Sequence, residues 1–439
     1  MTAATSIAMS ATAPEQARAA GINPLDYMRS RGYLHDVSDE AGLRAALAAS
    51  PVTAYVGFDP SASSLHIGNL IGIMMLATLQ RFGHRPIALG GGGTALVGDP
   101  SGKTSARKLI APEEIEANLA GVLPQFARYL DFTGGRFGDN PAALLLNNAD
   151  WLLSLHYIPF LRDIGRHFSV NEMLAAETYR QRLDTTGLNF VEFNYRIVQA
   201  YDFLHLHRTE GCLLQMGGSD QWGNIVAGVD LIRRVEGKKT FAVVSPLITA
   251  SSGQKMGKSE GNAVWLDPAR TTPYDYYQYW INTDDADVAR DLRLFTFVPE
   301  EQIADLTAES GAALREAKRV LAFAATAFTH GEEAATAAAT AAQSLFGDAG
   351  DGPADATANV PTTVIPAAEI GDGMSLADLF VRAELCGSRG EARRLAQQGG
   401  LTIDDQRVTD ADAPFQPSQD QVLLRVGKKR FRRVQFVRD

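Results

Sequence analysis

Cysteine is scarce in this chain: Cys212 and Cys386 are the only two among 439 residues. They are far apart and lack metal-ligand spacing, which excludes a disulfide framework and a cysteine metal site and favours a reducing compartment. Long apolar runs are also missing, because the most apolar stretch, residues 70–79, is far shorter than the ~20 residues that a membrane helix needs. The first residues lack a basic region followed by an apolar core, so they predict no signal peptide. We therefore expect a cytoplasmic protein.

Acidic residues outnumber basic residues over most of the chain. The formal net charge is −10, yet residues 421–439 carry seven Lys or Arg and one acid, a local charge of +6. Residues 1–420 are therefore left with −16. An acidic body with a basic end is typical of a protein that has a separate module for binding a polyanion. A solvated charged end is the alternative interpretation.

Short β-rich runs alternate with helical patterns from about residue 52 to residue 265. This alternation predicts an α/β domain with a parallel sheet and right-handed crossovers. Alanine-rich sequence follows, and then a stretch rich in Gly, Pro, Ala, Asp and Thr that has little to bury. The predicted division is an N-terminal extension with leading helices (1–50), the α/β domain (51–268), an α-helical domain (269–346), a flexible linker (347–373) and a small C-terminal module (374–439).

A glycine cluster in residues 90–104 invites comparison with nucleotide-binding loops. Gly90, Gly92 and Ala95 satisfy G-x-G-x-x-A after a predicted strand, but that is weak support within a run of four glycines. A P-loop would need a glycine at position 97, which is valine. The cluster therefore indicates a strand-to-loop turn at which backbone can approach a ligand closely.

Two other stretches carry side chains suited to phosphate. Residues 66–69, HIGN, stand where a loop becomes an apolar helix, predicted over 67–82. A helix N-terminus offers unpaired N–H groups and a partial positive charge, to which an imidazole and an amide add donors. Residues 255–259, KMGKS, place two lysines in a glycine-rich loop, a good clamp for charge that develops on phosphate. Taken singly, the alternatives are a capping histidine and a solvated loop.

Three polar residues recur at helical spacing in a segment predicted as a helix over 189–207. Tyr195, Gln199 and Asp202 are four and three residues apart, which places them on one face. Alone, such a face is most often an ordinary polar stripe in contact with water.

The motifs together resemble the two signatures of class I aminoacyl-tRNA synthetases, HIGN and KMGKS. More sharply, the order of motifs resembles that of bacterial tyrosyl-tRNA synthetases, and the resemblance covers about residues 52–439. The motifs are YVGFDPSASSLHIGNL, GDPSGKTSAR, FNYRIVQAYDF, GGSDQWGN and KMGKS. Two departures stand out: Asn69 replaces the second histidine of the first signature, and Gly257 replaces the middle serine of the second. Asn69 can still donate a hydrogen bond but cannot be cationic.

The resemblance implies a fold and a set of site residues. The fold is a Rossmann-like catalytic domain, an α-helical domain and a C-terminal α/β RNA-binding domain like that of a ribosomal protein. The implied catalytic residues are His66, Asn69, Lys103, Arg107, Lys255, Lys258 and Ser259. The implied tyrosine-binding residues are Tyr55, Gly57, Asp59, Asp99, Tyr195, Gln199, Asp202 and Gln221. ATP is implied to contact Asp59, Ser61, His66, Gly68, Asn69, Gly218, Asp220 and Lys258. The residues implied to contact tRNA are Arg389, Arg393, Arg394, Lys428, Lys429 and Arg430.

The reaction that the resemblance implies has two steps. The tyrosine carboxylate attacks the α-phosphate of ATP to give tyrosyl-adenylate and pyrophosphate, and the terminal ribose of tRNA(Tyr) then takes the tyrosyl group. Magnesium is expected on the nucleotide, with no protein-bound metal or organic cofactor, and a homodimer is implied. Two alternatives stay open: a tryptophanyl enzyme of the same architecture, and a descendant that binds RNA without catalysis. Intact lysines in KMGKS argue against the second.

Overall fold

A six-stranded sheet forms the centre of the first of two compact units in the computed structural model. The strand order is β1-β6-β5-β2-β3-β4, and every neighbouring pair is parallel except β1 with β6. The strands are β1 (Asp36–Val37), β2 (Thr53–Phe58), β3 (Arg85–Gly90), β4 (Leu144–Asn147), β5 (Cys212–Gly218) and β6 (Phe241–Ser245). The parallel α/β class predicted from the alternation of elements is confirmed.

The structure describes the chain in ranges. They are 13–101, 110–185, 187–249, 258–259, 262–309, 311–346, 362–366, 369–370, 374–404, 406–416, 419–427 and 430–437. The first unit comprises residues up to Thr271 together with Tyr279–Glu332, and the second comprises Thr272–Gln278 and Glu333–Asp439. The domain boundaries drawn from the sequence stay predictions.

Helices follow or precede each strand of the large sheet. Those before β5 are α1 (Ala13–Ala19), α2 (Pro24–Ser30), α3 (Glu40–Ala49), α4 (Leu70–Arg81), α5 (Pro112–Val122), α6 (Ala149–Leu152), α7 (Tyr157–Asp163), α8 (Val170–Ala175), α9 (Glu177–Thr185) and α10 (Phe190–Glu210). Later come α11 (Trp222–Glu236), α12 (Pro273–Ile281), α13 (Val288–Phe295), α14 (Glu300–Thr307), α15 (Ala312–His330) and α16 (Glu332–Phe346), and a two-stranded ribbon of β7 (Lys258–Ser259) and β8 (Asn262–Ala263). Within the described ranges, no helix is both long and apolar enough to cross a membrane.

Burial explains why the central elements form where they do. Strand β3 is buried along nearly its whole length, as expected for a parallel strand covered on both faces. Helix α10 begins at Asn189, whose side chain accepts from the Glu192 N–H in a capping box. Its last residue is Glu210, three residues beyond the predicted end at 207, and it is capped by Gly211, whose φ of +63° favours glycine.

The glycine cluster of residues 90–93 packs tightly against the protein itself. A Cβ atom on Gly91 would clash with the carboxylate of Asp59, and one on Gly92 would clash with the amide of Asn147. The sequence predicts a close approach to the backbone of these glycines. In the structure, the side chains of Asp59 and Asn147 make that approach, and the absence of a Cβ atom leaves room for them at the end of β3.

The second unit contains a five-stranded sheet in the order β11-β10-β12-β13-β9. Its elements are β9 (Thr362–Pro366), α17 (Leu376–Arg382), α18 (Arg389–Gln397), β10 (Leu401–Ile403), β11 (Gln406–Arg407), β12 (Gln421–Val426) and β13 (Arg430–Val437). Strand β9 lies inside the segment predicted as a linker and pairs in parallel with β13. The basic end of the chain is an antiparallel hairpin, with Val422, Leu424 and Val434 buried.

Candidate active site

A cavity of about 560 Å³ lies at the carboxyl ends of the parallel strands. Residues at the ends of β2, β3, β5 and β6 line it, together with the start of α4 and one face of α10. Open α/β sheets generally bind ligands at this edge, because the loops that follow the strands converge there. All of its described lining residues belong to the first unit.

A buried carboxylate marks one wall of the cavity. Asp202 on α10 accepts from the Asn148 Nδ2 at 2.9 Å and from the Trp151 Nε1 at 2.7 Å. Burial raises the pKa of Asp202 to about 7, although these two donors pull the pKa down. The ring of Trp151 is itself stacked on His205, with ring centroids 4.3 Å apart.

The hydroxyl of Tyr55 is the second polar group beside this carboxylate. It is buried and has no hydrogen-bond partner in the described protein. Burial, reinforced by the charge of Asp202, raises the pKa of Tyr55 well above its usual value. A buried hydroxyl that makes no hydrogen bond raises the free energy of the folded protein. The Tyr55 hydroxyl is therefore suited to a ligand that offers it a hydrogen bond.

A second carboxylate, that of Asp59, is held at the end of β2. It accepts from the Tyr195 hydroxyl at 3.0 Å and from the Thr94 Oγ1 at 2.8 Å. Burial is the main cause that raises the pKa of Tyr195 well above its usual value, and neighbouring carboxylates add to it. The Tyr195 hydroxyl therefore stays a neutral donor at physiological pH.

A third carboxylate, that of Asp99, is buried beside the start of α11. It accepts from the Gln221 Nε2 at 2.6 Å and from the Ser101 backbone N–H at 2.9 Å. The side-chain oxygen of Gln199 also lines the cavity, and it is buried without a hydrogen-bond partner in the described protein. Acceptors of this kind are suited to a group that only donates, such as an ammonium.

The start of α4 is organised by the HIGN residues. The His66 Nδ1 accepts from the Gly68 N–H at 3.0 Å, and the Asn69 Oδ1 accepts from the His66 N–H at 3.0 Å. Because Nδ1 is an acceptor here, the neutral imidazole carries its proton on Nε2. The capping alternative for His66 is thus observed, and the donors suited to an anion are the His66 Nε2 and the Asn69 amide.

The structure brings together most of the residues implied for tyrosine and ATP. Those that line the cavity are Tyr55, Gly57, Asp59, Ser61, His66, Gly68, Asn69, Asp99, Tyr195, Gln199, Asp202, Gly218, Asp220 and Gln221. Lys258 and Ser259 form β7. Five implied residues lie outside the described ranges: Lys103, Arg107, Lys255, Lys428 and Lys429. Roles for all of these residues stay predictions.

Sequence reasoning missed several polar residues that line the cavity, among them Thr94, Asn148 and Gln215. Asn148 follows β4 directly, and a polar residue at the carboxyl end of a predicted parallel strand is a signal that could have identified it. Sequence reasoning also missed Trp151, which donates to the carboxylate of Asp202. Trp151 gave no such signal, since an isolated tryptophan in a short helix is usually part of the core.

The implied tRNA contacts that the structure describes lie in the second unit: Arg389, Arg393 and Arg394 on α18, and Arg430 at the start of β13. Arg389 pairs with Asp378, and Arg393 pairs with Asp412 at 2.8 Å. Arg430 lies 3.9 Å from the carboxylate of Glu391, and Arg394 is exposed. Acidic neighbours thus offset part of the positive charge on this unit.

Comparison with known proteins places the chain in a class. The family described as "tRNA synthetases class I (W and Y)" matches residues 47–347, and a tyrosine–tRNA ligase C-terminal domain family matches residues 354–434. Together with the parallel sheet and the cavity at its carboxyl edge, this match shows that the chain belongs to the class I tRNA synthetases.

The relatives narrow that class to its tyrosine branch. A tyrosine–tRNA ligase of Desulfosudis oleivorans is 52% identical over 428 residues, covering 93% of this chain and 97% of its own. One of Clostridium botulinum (strain 657 / Type Ba4) is 47% identical and covers 94% and 99%. A solved structure, the C-terminally truncated mitochondrial tyrosyl-tRNA synthetase of Aspergillus nidulans, has a TM-score of 0.67 at 30% identity and covers 76% of this chain and 97% of its own.

Proposed function

We propose that this chain is a tyrosine–tRNA ligase that activates L-tyrosine with ATP and transfers it to the 3′-terminal ribose of tRNA(Tyr). Its membership of the class I synthetases supports the reaction type, and relatives with high coverage that are tyrosine–tRNA ligases support the substrate. The single observation that carries the choice of tyrosine is the pair formed by Asp202 and Tyr55 in the cavity wall.

A phenol satisfies both members of that pair. Its hydroxyl donates to the carboxylate of Asp202 and accepts from the hydroxyl of Tyr55. An indole N–H only donates, so tryptophan would leave the Tyr55 hydroxyl without an acceptor. Phenylalanine offers neither bond and would leave both groups unpaired. Tyrosyl-tRNA synthetases are themselves the standard example of such discrimination, which reaches about 10⁵-fold against phenylalanine without editing.

The other end of the amino acid is assigned to the remaining carboxylates. In this proposal Tyr195, Gln199 and Asp99 hold the ammonium, because they offer a hydroxyl, an amide oxygen and a buried carboxylate. Gln221 then lies near the reacting carboxylate of tyrosine. Gly57 and Asp59, at the end of β2, complete the wall against which the substrate lies.

The first step needs positioning and charge stabilisation, with no protein nucleophile. A tyrosine carboxylate oxygen forms a bond to the α-phosphorus of ATP, and the bond from that phosphorus to the bridging oxygen breaks and releases pyrophosphate. Helix α4 presents its N-terminal N–H groups, His66 and Asn69 to the triphosphate. Ser61, Gly68, Gly218 and Asp220 are the proposed contacts to the rest of the nucleotide. Magnesium arrives as part of the nucleotide substrate.

The departing pyrophosphate is assigned to the lysine-rich segments. The proposed residues are Lys103, Arg107, Lys255, Lys258 and Ser259. Cationic donors that act where charge develops lower the barrier most, because their interaction is stronger in the transition state than in the ground state. The basic residues of the second unit are assigned to tRNA, on the ground that polyanion binding draws on Lys and Arg contacts to phosphate.

A homodimer in the cytoplasm belongs to the same proposal. Large apolar side chains are exposed mainly between residues 153 and 191, and they include Leu153, Tyr157, Ile158, Val170, Phe190 and Val191. Exposed apolar residues in such number are typical of a protein–protein interface. Sedimentation should give twice the chain mass for the unmodified protein and a lower mass for Phe190→Asp; a monomeric unmodified protein would overturn the dimer.

Pyrophosphate exchange tests the proposal directly. The unmodified protein should exchange pyrophosphate into ATP with tyrosine and far more slowly with phenylalanine or tryptophan. Asp202→Ala should collapse the tyrosine-dependent rate, whereas Asp150→Ala, at an exposed position in α6, should not. Faster exchange with tryptophan would contradict the substrate assignment. Binding of tRNA(Tyr) without exchange for any amino acid would instead support the non-catalytic RNA-binding alternative.

A further inference from the structure

A row of buried polar side chains runs from helix α10 to the carboxylate of Asp99. The Arg196 Nε donates to the Asn224 Oδ1 at 3.5 Å, and the Asn224 Nδ2 donates to the Gln221 Oε1 at 3.3 Å. The Gln221 Nε2 then donates to the Asp99 Oδ2 at 2.6 Å. The Asn224 Nδ2 also lies 3.4 Å from the Ser101 Oγ. Arg196, Asn224 and Asp99 are all more than nine-tenths buried.

The chemistry of the two ends gives this row a fixed direction. A guanidinium only donates and an ionised carboxylate only accepts, so neither end can reverse its role. The two amides between them could each be rotated by 180° about their last bond at little cost in shape. Rotation of the Asn224 amide would point its NH₂ group at the Arg196 Nε–H, and rotation of the Gln221 amide would point its oxygen at the carboxylate of Asp99. Both changes are repulsive, so each end selects one orientation of both amides.

We propose that Arg196 and Asn224 are positioning residues for the ammonium site of the amino-acid substrate. They act through Gln221, whose NH₂ group they hold toward Asp99. The inference rests on the proposed function, in which Asp99 receives the ammonium, and adds two residues that touch no substrate. Asp99 is in this way oriented before the substrate arrives, and preorganisation of that kind lowers the ordering cost of binding.

Packing holds the cationic end of the row in place. The guanidinium of Arg196 lies over the ring of Tyr179, 4.7 Å from its centroid. A Cβ atom on Gly223 would come within 2.7 Å of the Arg196 Nη2, so glycine leaves room for the guanidinium at this position. The buried guanidinium therefore has little freedom to turn away from Asn224.

Asn224→Asp is the sharpest test, because it changes one group and keeps the shape. The carboxylate still accepts from Arg196 but cannot donate to Gln221. Each orientation of the Gln221 amide then brings its oxygen against one carboxylate, so its NH₂ group is no longer held toward Asp99. Arg196→Met removes the directing donor and keeps the apolar stem. Arg208→Met, at an exposed position on the same helix, is the matched control; it removes an ion pair with Glu236 far from the row.

The measurement is equilibrium binding of three ligands to the full-length protein. Tyrosine and tyramine carry the ammonium, whereas 4-ethylphenol keeps the phenol and lacks both the ammonium and the carboxylate near which Gln221 is placed. Asn224→Asp and Arg196→Met, the two site variants, should each bind tyrosine and tyramine at least about 10-fold more weakly, as expected for a perturbed hydrogen bond to a charged group. They should bind 4-ethylphenol as the unmodified protein does, and Arg208→Met should bind all three ligands normally.

Each outcome decides one question. Equal weakening of all three ligands in both site variants would mean a merely structural role, and unchanged binding of tyramine would also overturn the positioning role. If the unmodified protein itself does not prefer tyramine to 4-ethylphenol, the assignment of the ammonium to Asp99 fails instead, and the proposed function is revised. The proposal stands only when the loss follows the ammonium.

Discussion

Replacing Asp202 by asparagine should make the stability of the ligand-free protein less sensitive to rising pH. Burial raises the pKa of this carboxyl from 3.8 to about 7. The folded protein therefore binds the proton more tightly than the unfolded chain does, and its free energy of unfolding falls as the pH rises through that window. One pKa unit corresponds to about 1.4 kcal/mol, and pH 5 lies about two units below the folded pKa, so the contribution lost between pH 5 and pH 8 is about 3 kcal/mol.

Asparagine at this position does not titrate, so the free energy of unfolding of the variant should not decrease in this way as the pH rises. It has a separate cost, because its NH₂ group must face either the Asn148 Nδ2 or the Trp151 Nε1, both of which are donors. Leaving one such donor without an acceptor costs about 1–3 kcal/mol. That cost is the same at both pH values. The difference in stability between variant and unmodified protein should therefore shift by about 3 kcal/mol in favour of the variant from pH 5 to pH 8.

Urea unfolding followed by tryptophan fluorescence gives the required free energies. All four tryptophans lie in the first unit, so the signal reports the unit that contains Asp202. Asp150→Asn, at an exposed position, controls for loss of a carboxylate as such. Saturating tyrosine should reduce the pH dependence of the unmodified protein, since a donated phenol hydrogen bond favours the ionised carboxylate. The reasoning is refuted if Asp202→Asn and the unmodified protein lose stability in parallel between pH 5 and pH 8.

Two further predictions concern parts of the chain beyond the cavity. Alanine at Lys255 or Lys258 should lower the rate of adenylate formation ~10²–10³-fold with little change in tyrosine affinity, because these donors act on developing charge; unchanged pre-steady-state rates in both variants would remove them from the mechanism. Alanine at Arg389, Arg393 and Arg394 together should leave pyrophosphate exchange intact and weaken tRNA binding. Each lost phosphate contact should reduce the slope of log affinity against log salt concentration by ~0.7–0.9. An unchanged slope would mean that these arginines contact no phosphate of the tRNA and that Arg389 and Arg393 act only in their ion pairs with Asp378 and Asp412.

The sequence by itself determined the elements that local pattern controls. Strands β2 to β6 form from the β-rich runs VTAYVGF, PIALGG, ALLLNN, CLLQMG and FAVVSP. Buried parallel strands are continuous apolar segments, which can be identified without distant information. The spacing of Tyr195, Gln199 and Asp202 placed them on one face of α10, and all three line the cavity. Helical periodicity fixes such a face, but it does not say whether water or a ligand meets it.

Only the tertiary structure decided what surrounds those residues. Asn148 and Trp151 lie more than fifty positions before Asp202 in the chain, and they reach its carboxylate because β4 pairs beside β3 at the same edge of the sheet. The hydrogen bonds from Arg196 through Asn224 and Gln221 to Asp99 likewise form only because α10 and α11 pack together. The run TTVIP falls in the segment predicted as linker, because its role as strand β9 is evident only when β13 is paired beside it. Pairing between distant segments is a non-local interaction, and no local pattern in the sequence encodes it.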